Sequence, residues 1–434
     1  MSLSEYLPEQ YVALMHRPVA IFGVGPSGLA AAELIRKLGG EPVHFDALSG
    51  EAEVVQHEFS RKTALEFGLV IHGPAFWRHH PWIEMARQAG CTVVSEMDFA
   101  QQIRRGPTLV VTGTNGKTTL QEFITFSLKR SGVSAVAAGQ NHYPLSRLAI
   151  RPELDGVTAV LELSPTYAQQ VERFRFDALF WTNFHEDHLE ESEQRRLFTD
   201  IMILAEGSPE GRLYFGESVY ARAADFGLIL PERARRLKAE DFPSWELSNR
   251  SAFATSLHQP ALALYRCYWL DKGYSDSLLK GAAENFEVRA HRLHVSTVIG
   301  KTTYWNDANA SNFAATEAAL EHFKEPVVWI GGGQYRGGDL EAFSDRVHKR
   351  LRGAVLYGNT REAIASHLTN RGVNNCLAED LRNAVELAFG MAAGECPVVF
   401  SPGFPAGDEF GSAVERGICY ENAVLGLKHQ KGSS

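Results

Sequence analysis

Short runs of aliphatic and β-branched residues recur along the chain. Each is closed within a few positions by Gly, Asn or Pro and is mostly followed by a stretch with helical spacing. The clearest are Val19-Ala-Ile-Phe22, Leu109-Val-Val-Thr112, Ala159-Val-Leu-Glu162, Ala178-Leu-Phe-Trp181, Val327-Val-Trp-Ile330, Ala354-Val-Leu-Tyr357 and Pro397-Val-Val-Phe400. None alternates apolar with polar, so each predicts a strand buried on both faces, as in a parallel sheet covered by helices. The strand–turn–helix rhythm is that of an α/β architecture. No short internal repeat interrupts it.

Three sections are suggested, in part by the pattern and in part by the resemblance described below. The first, 1–104, opens on a strand, a glycine turn and a helix; the second, 105–288, opens on the strand before Gly113 and holds the acidic and histidine-rich centre; the third, 289–434, starts near Arg289 with strands of its own. Composition adds that this is an ordinary globular chain: 434 residues, 44% hydrophobic and 22% charged, too apolar for disorder. The net charge of −9 and the lack of a basic block speak against a nucleic-acid partner. Cys91, Cys267, Cys376, Cys396 and Cys419 are scattered without metal-like spacing and predict reduced thiols. No leader pattern opens the chain, and no segment reaches the roughly 20 apolar residues of a membrane span. A cytoplasmic protein is expected.

Gly23-Val-Gly-Pro-Ser-Gly28 joins the first strand to a helix, and Asp46 follows Gly28 by 18 residues. Such a turn exposes backbone amides at a helix N-terminus and suits a phosphate. Alone it leaves three readings open: a nicotinamide or flavin dinucleotide, a nucleotide-sugar, or a purely structural turn.

The segment Val110-Val-Thr-Gly-Thr-Asn-Gly-Lys-Thr-Thr119 is far more specific. Amides of Gly113, Thr114, Asn115 and Gly116 can wrap phosphate oxygens, Lys117 adds a point charge, and Thr118 or Thr119 can offer a hydroxyl to magnesium. The common phosphate-loop pattern places a glycine where Val111 stands, so this is a shorter variant. Two candidate metal residues lie downstream, each after a strand: Glu162, and His188 closing Thr182-Asn-Phe-His-Glu-Asp-His188, with His185 and Asp187 near by. Carboxyl ends of parallel strands are where open α/β sheets bind ligands.

In this order the motifs resemble those of the Mur ligase family, and the likeness runs over almost the whole chain. Its D-glutamate-adding branch fits best. The resemblance implies a Rossmann-like first domain for a uridine nucleotide, a central phosphate-loop ATPase domain and a Rossmann-like C-terminal domain for an amino acid. Gly25, Ser27 and Asp46 then belong to the UDP-linked muramoyl substrate, with His72-Gly-Pro-Ala75 in place of the usual Ser-Pro-Gly. Gly113 to Thr119 hold ATP, with Lys117, His188 and Arg292 catalytic; Thr118, Glu162 and His188 hold Mg2+. His258 and Gln259 stand near the adenine; in His291-Arg292 the arginine meets the phosphates; in Trp305-Asn-Asp307 the aspartate contacts the nucleotide. Gln140 or Asn141, Ser164, Ser311, Arg336 and Ser401 match substrate-binding positions, and Glu415-Arg-Gly417 closes the series. The implied activity is ATP-dependent ligation of a carboxylate to an amine through an acyl phosphate, by a monomer, with glutamate as the amine.

Departures from the family pattern concern the acceptor half. Arg336 replaces a lysine that meets the incoming amino acid, Ala406 and Ala413 replace a serine and a phenylalanine, and Asn309 replaces another lysine. The branch also carries a carbamylated lysine about 15 residues after the metal histidine. Here no lysine occurs from 130 to 237, and Asp200 or Glu206 is the acidic substitute at hand. These changes keep open a paralogue with another amino acid or carboxylate, or a nucleotide-binding homologue without catalysis.

Overall fold

All seven hydrophobic runs are strands. The structure, a computed structural model, describes residues 7–47, 55–76, 79–139, 143–171, 174–185, 189–248, 251–254, 257–407 and 409–432. The chain forms two compact units: Met1–Phe184 with Arg195–Trp245 and Pro260–Ala283, and His185–Gln194 with Glu246–Gln259 and Glu284–Ser434.

The first unit carries two parallel sheets. In one, β1 (Val19–Phe22), β2 (Pro42–Phe45), β3 (Val55–Gln56), β4 (Leu69–His72) and β5 (Thr92–Ser95) lie in the order β3-β2-β1-β4-β5. In the other, β6 (Thr108–Thr112), β7 (Ala135–Gly139), β8 (Thr158–Glu162), β9 (Ala178–Trp181), β10 (Arg212–Phe215) and β11 (Ala234–Arg236) lie in the order β11-β10-β9-β6-β8-β7. Both orders reverse direction beside the strand that precedes a glycine loop, β1 in one sheet and β6 in the other. That reversal opens a crevice at the strand's carboxyl end. Every residue of β1, β4, β6, β8 and β9 is buried, the reason these runs show no alternation.

Residues 1–104 and the sheet that follows them share one unit, and polar bonds run between them. Arg175 N donates to Gln101 Oε1 at 2.7 Å, Gln170 Nε2 to Pro74 O at 3.0 Å, and Ser146 N to the buried Glu96 Oε1 at 2.6 Å. Burial pushes the Glu96 carboxyl up to about 7, against the two hydrogen bonds from Ser146.

The second unit carries one sheet of β12 (His294–Ile299), β13 (Thr302–Asn306), β14 (Val327–Gly332), β15 (Leu351–Tyr357), β16 (Asn375–Leu377) and β17 (Val398–Phe400), in the order β12-β13-β17-β14-β15-β16. Only β12 runs antiparallel to its neighbour. Trp329 anchors one face of the sheet against Phe343, Leu356 and Phe404; side chains of this kind contribute about 1.5–3 kcal/mol each on burial. Among the described residues no helix is long and apolar enough to cross a membrane.

Candidate functional site

After β1 the chain makes the glycine turn that its sequence predicts. Gly23 takes φ +105°, and a Cβ on Gly28 would stand 2.0 Å from Gly23 O, so only glycine lets the helix Pro26–Lys37 begin there. Gly25 caps that helix with nothing within 4 Å of its would-be Cβ. Asp46 braces the turn, its Oδ2 accepting from Val24 N at 3.1 Å. Ser27 is buried, its Cβ facing Gly73, which follows β4. Gly25 and Asp46 thus sit at one turn, with Ser27 on the first helical positions.

The second loop follows β6. Gly113 has φ +135°, and a Cβ there would lie 2.2 Å from Thr182 Oγ1; Gly116, at φ +80°, precedes the helix Lys117–Arg130. Lys117 folds back over the loop, its Nζ donating to Gly113 O and Thr114 O at 2.7 Å each. Thr118 and Thr119 occupy the first helical turn and are buried. Glu162, 4% exposed, ends β8 beside Val111 of β6, and a Cβ on Gly139 of β7 would press its carbonyl at 2.5 Å. Loop, lysine, threonines and Glu162 therefore all lie at the carboxyl ends of adjacent strands, and Thr118 and Glu162 carry oxygen donors of the kind a hard cation takes. Ser164 is the cap of the short helix Pro165–Ala168, accepting from Tyr167 N at 3.3 Å.

Thr182 and Asn183 complete this loop in a way their motif did not announce. Asn183 Oδ1 accepts from Asn115 N at 2.8 Å, Asn183 Nδ2 donates to Asn115 O at 3.0 Å, and Thr182 Oγ1 donates to Asn115 O at 2.8 Å. The available signal was position, directly after a strand that proves to be the neighbour of β6. Gln140, Asn141, Asp187 and His188 lie outside the described residues.

In the second unit His258 has its imidazole pushed down to about 4 by desolvation, with the cation of Arg292 and His322 acting in the same direction. Gln259 directs its amide at Phe253 O. Asp307 follows β13; its Oδ1 accepts from Leu293 N at 3.1 Å and its Oδ2 from Ser401 Oγ at 2.8 Å. Desolvation pushes this carboxyl up to about 7, although those bonds and the charges of Arg292 and Arg416 oppose the shift. Ser401 is wholly buried, so its hydroxyl orients Asp307. Ser311 directly precedes Asn312, which caps the helix Phe313–Glu321. Arg336 is exposed, with Nη2 donating to Gln334 Oε1 at 3.2 Å, in a loop that Gly332, Gly333, Gly337 and Gly338 bend through positive φ. Gly407 packs on Gln334, which brings the Ser401–Phe410 loop against the Arg336 loop.

Arg416, read from sequence only as part of a closing motif, is fully buried. It donates to Phe404 O at 2.9 Å and Ala308 O at 2.7 Å, fastening the loop after β17 behind Asp307.

Residues 111–204, which contain the braced phosphate loop and Glu162, match the Mur ligase middle domain. Beyond that segment the chain is 24% identical over 465 residues to a UDP-N-acetylmuramoylalanine–D-glutamate ligase of Leuconostoc mesenteroides, covering 96% of this chain and 98% of the relative. The chain carries a Mur ligase middle domain. A ligase of the same name from Chlamydia abortus is 27% identical to this chain, over 94% of the chain and 98% of its own length. The fold is also that of the MurF ligase of Thermotoga maritima, solved in complex with ADP, at TM-score 0.58 and 15% identity, over 96% of this chain and 98% of that one.

Proposed function

We propose that this chain is a Mur ligase, an ATP-dependent carboxylate–amine ligase that adds D-glutamate to UDP-N-acetylmuramoyl-L-alanine in peptidoglycan synthesis. The carrying observation is the phosphate loop with Lys117 folded over it and Glu162 at the neighbouring strand end, in a chain similar to D-glutamate ligases over nearly its full length. In this reading a substrate carboxylate oxygen attacks the γ-phosphorus of ATP. The bond to the bridging oxygen breaks, ADP leaves, and an acyl phosphate forms. The amine nitrogen then attacks the acyl carbon, loses a proton, and phosphate departs with the bonding electrons.

The residues bind and orient. Amides of Gly113 to Gly116 and the ammonium of Lys117 hold phosphate oxygens, and Arg292 and Asp307 are nucleotide-contacting residues. His258, kept neutral, and Gln259 stand by the base. Thr118, Glu162 and His188 would hold Mg2+, which supplies charge neutralisation on the phosphates. Gly25, Ser27 and Asp46 take the uridine nucleotide; Gln140 or Asn141, Ser164 and Ser311 take the muramoyl part; Arg336 takes the amino acid carboxylate. A cytoplasmic monomer belongs to the same reading.

The acceptor loops favour one second reading, a paralogue using another amine. Ala406 and Ala413 lack the hydroxyl and ring of the D-glutamate branch, and Arg336 carries the charge there in a different shape. Phosphate release from ATP with UDP-N-acetylmuramoyl-L-alanine and a panel of D- and L-amino acids, with product masses, separates the two. Turnover with D-glutamate alone supports the first; turnover with another amino acid alone supports the second. No release across the panel, with ATP bound normally, rules out both.

A further inference from the structure

Arg292 sits in a turn that the backbone does not favour. His291 has φ +66° and Leu293 φ +45°, two of the three positive-φ non-glycine residues among those described. A side chain in this region is held there only when its surroundings over-determine it.

The surroundings do so from four sides. His291 O accepts from Asn309 N at 3.1 Å and from Asn309 Nδ2 at 3.0 Å, and Leu293 N donates to Asp307 Oδ1 at 3.1 Å. His291 N donates to His294 Nδ1 at 2.8 Å, so the proton of neutral His294 is on Nε2 and faces Glu421 Oε1 at 3.1 Å. The buried Asn306 amide lies 2.9 Å from His291 Nδ1, 3.1 Å from Gly417 O and 3.2 Å from the same Glu421 oxygen. His291 is set against the helix Ala413–Gly432 so closely that a Cβ on Gly417 would lie 2.4 Å from its ring. One carboxylate oxygen is therefore the common acceptor for the two side chains that hold His291 by its backbone N–H and by its ring.

We infer that Glu421, acting through His294 and Asn306, is a positioning residue that holds the left-handed His291–Leu293 turn and so aims the Arg292 guanidinium at nucleotide phosphate. This rests on the nucleotide-binding reading of Arg292 given above. Glu421 is on the closing helix, remote in sequence from the residue it serves, and touches no reacting atom.

The test is calorimetric binding of magnesium with a non-hydrolysable ATP analogue to the full chain. Wild type, Arg292→Ala, Glu421→Ala, Glu421→Gln and the Arg292→Ala/Glu421→Ala double variant are compared, with thermal unfolding to verify folding. Arg292→Ala is expected to weaken binding about 10-fold or more, and Glu421→Ala to do the same. The double variant should be no weaker than Arg292→Ala alone, because the glutamate acts through the arginine. Glu421→Gln, whose amide oxygen still accepts from His294 and Asn306, should restore most of the affinity. Additive losses in the double variant, or a silent Glu421→Ala beside a damaging Arg292→Ala, overturn the positioning role and leave the nucleotide reading standing. A silent Arg292→Ala overturns the nucleotide reading of that residue, and the positioning role with it. Should Glu421→Ala fail to fold, the His294→Ala and Glu421→Gln arms decide by the same criteria.

Discussion

Asn183 grips Asn115 at both ends of one peptide residue, accepting from its N–H at 2.8 Å and donating to its carbonyl at 3.0 Å. An asparagine after β9 thereby sets the shape of a loop after β6. Asn183→Ala removes both bonds and leaves two polar groups of Asn115 to find other partners. A loss of about 1–3 kcal/mol in stability is expected, together with weaker binding of an ATP analogue. Chemical denaturation and calorimetry measure the two. Asn183→Asp should also fail, since a carboxylate can accept from the N–H but cannot donate to the carbonyl. Unchanged nucleotide binding in both variants would show that the brace does not shape the phosphate site.

Lys117 is held by two carbonyls of the loop it charges. Lys117→Ala should abolish ATP-dependent phosphate release while thermal unfolding still shows a single folded protein. Turnover near the wild-type rate would sink the ligase scheme.

The first glycine turn holds one glycine that packing requires and one that it does not. Gly28→Ala must push a methyl against Gly23 O, 2.0 Å away, and should cost several kcal/mol or prevent folding. Gly25 has ordinary φ of −74° and open space around it. Gly25→Ala should therefore melt within a few degrees of wild type yet bind UDP-N-acetylmuramoyl-L-alanine more weakly. Equal melting of the two variants contradicts the steric account; undiminished substrate binding by Gly25→Ala contradicts a uridine-nucleotide site at this turn.

Asp307 gives stability a pH dependence opposite to that of an ion-paired carboxylate. Its pKa rises from 3.8 to about 7 on folding, so in that window the folded chain binds more protons than the unfolded one. Stability then falls as pH rises from 3.8 through 7. Glu96, also pushed up to about 7, contributes with the same sign. His258, pushed down from 6.5 to about 4, contributes with the opposite sign between those values. Relative to wild type, Asp307→Asn should therefore shift the slope of melting temperature against pH toward positive values between pH 4 and 7, and an unchanged slope in this variant would contradict the assignment.

Sequence alone determined where the strands lie and where a phosphate-type loop forms, because both are local. A run buried on both faces needs continuous apolar residues, and a phosphate loop needs its glycines, lysine and threonines within a few positions, as at Gly113–Thr119. The tertiary structure alone decided which distant side chains hold those pieces in place. Thr182 and Asn183 reach the loop only because β9 lies beside β6, and Ser401 reaches Asp307 only because β17 lies beside β13. Arg416 and Glu421 act across more than a hundred residues, on Ala308 and Asn306. Strand order and helix packing carry no mark at these single positions, since hydrogen-bond partners far apart in the chain need only complementary polar atoms. Glu96, Gln101 and Gln170 likewise bridge the first two sheets, polar residues whose partners the linear pattern does not reveal.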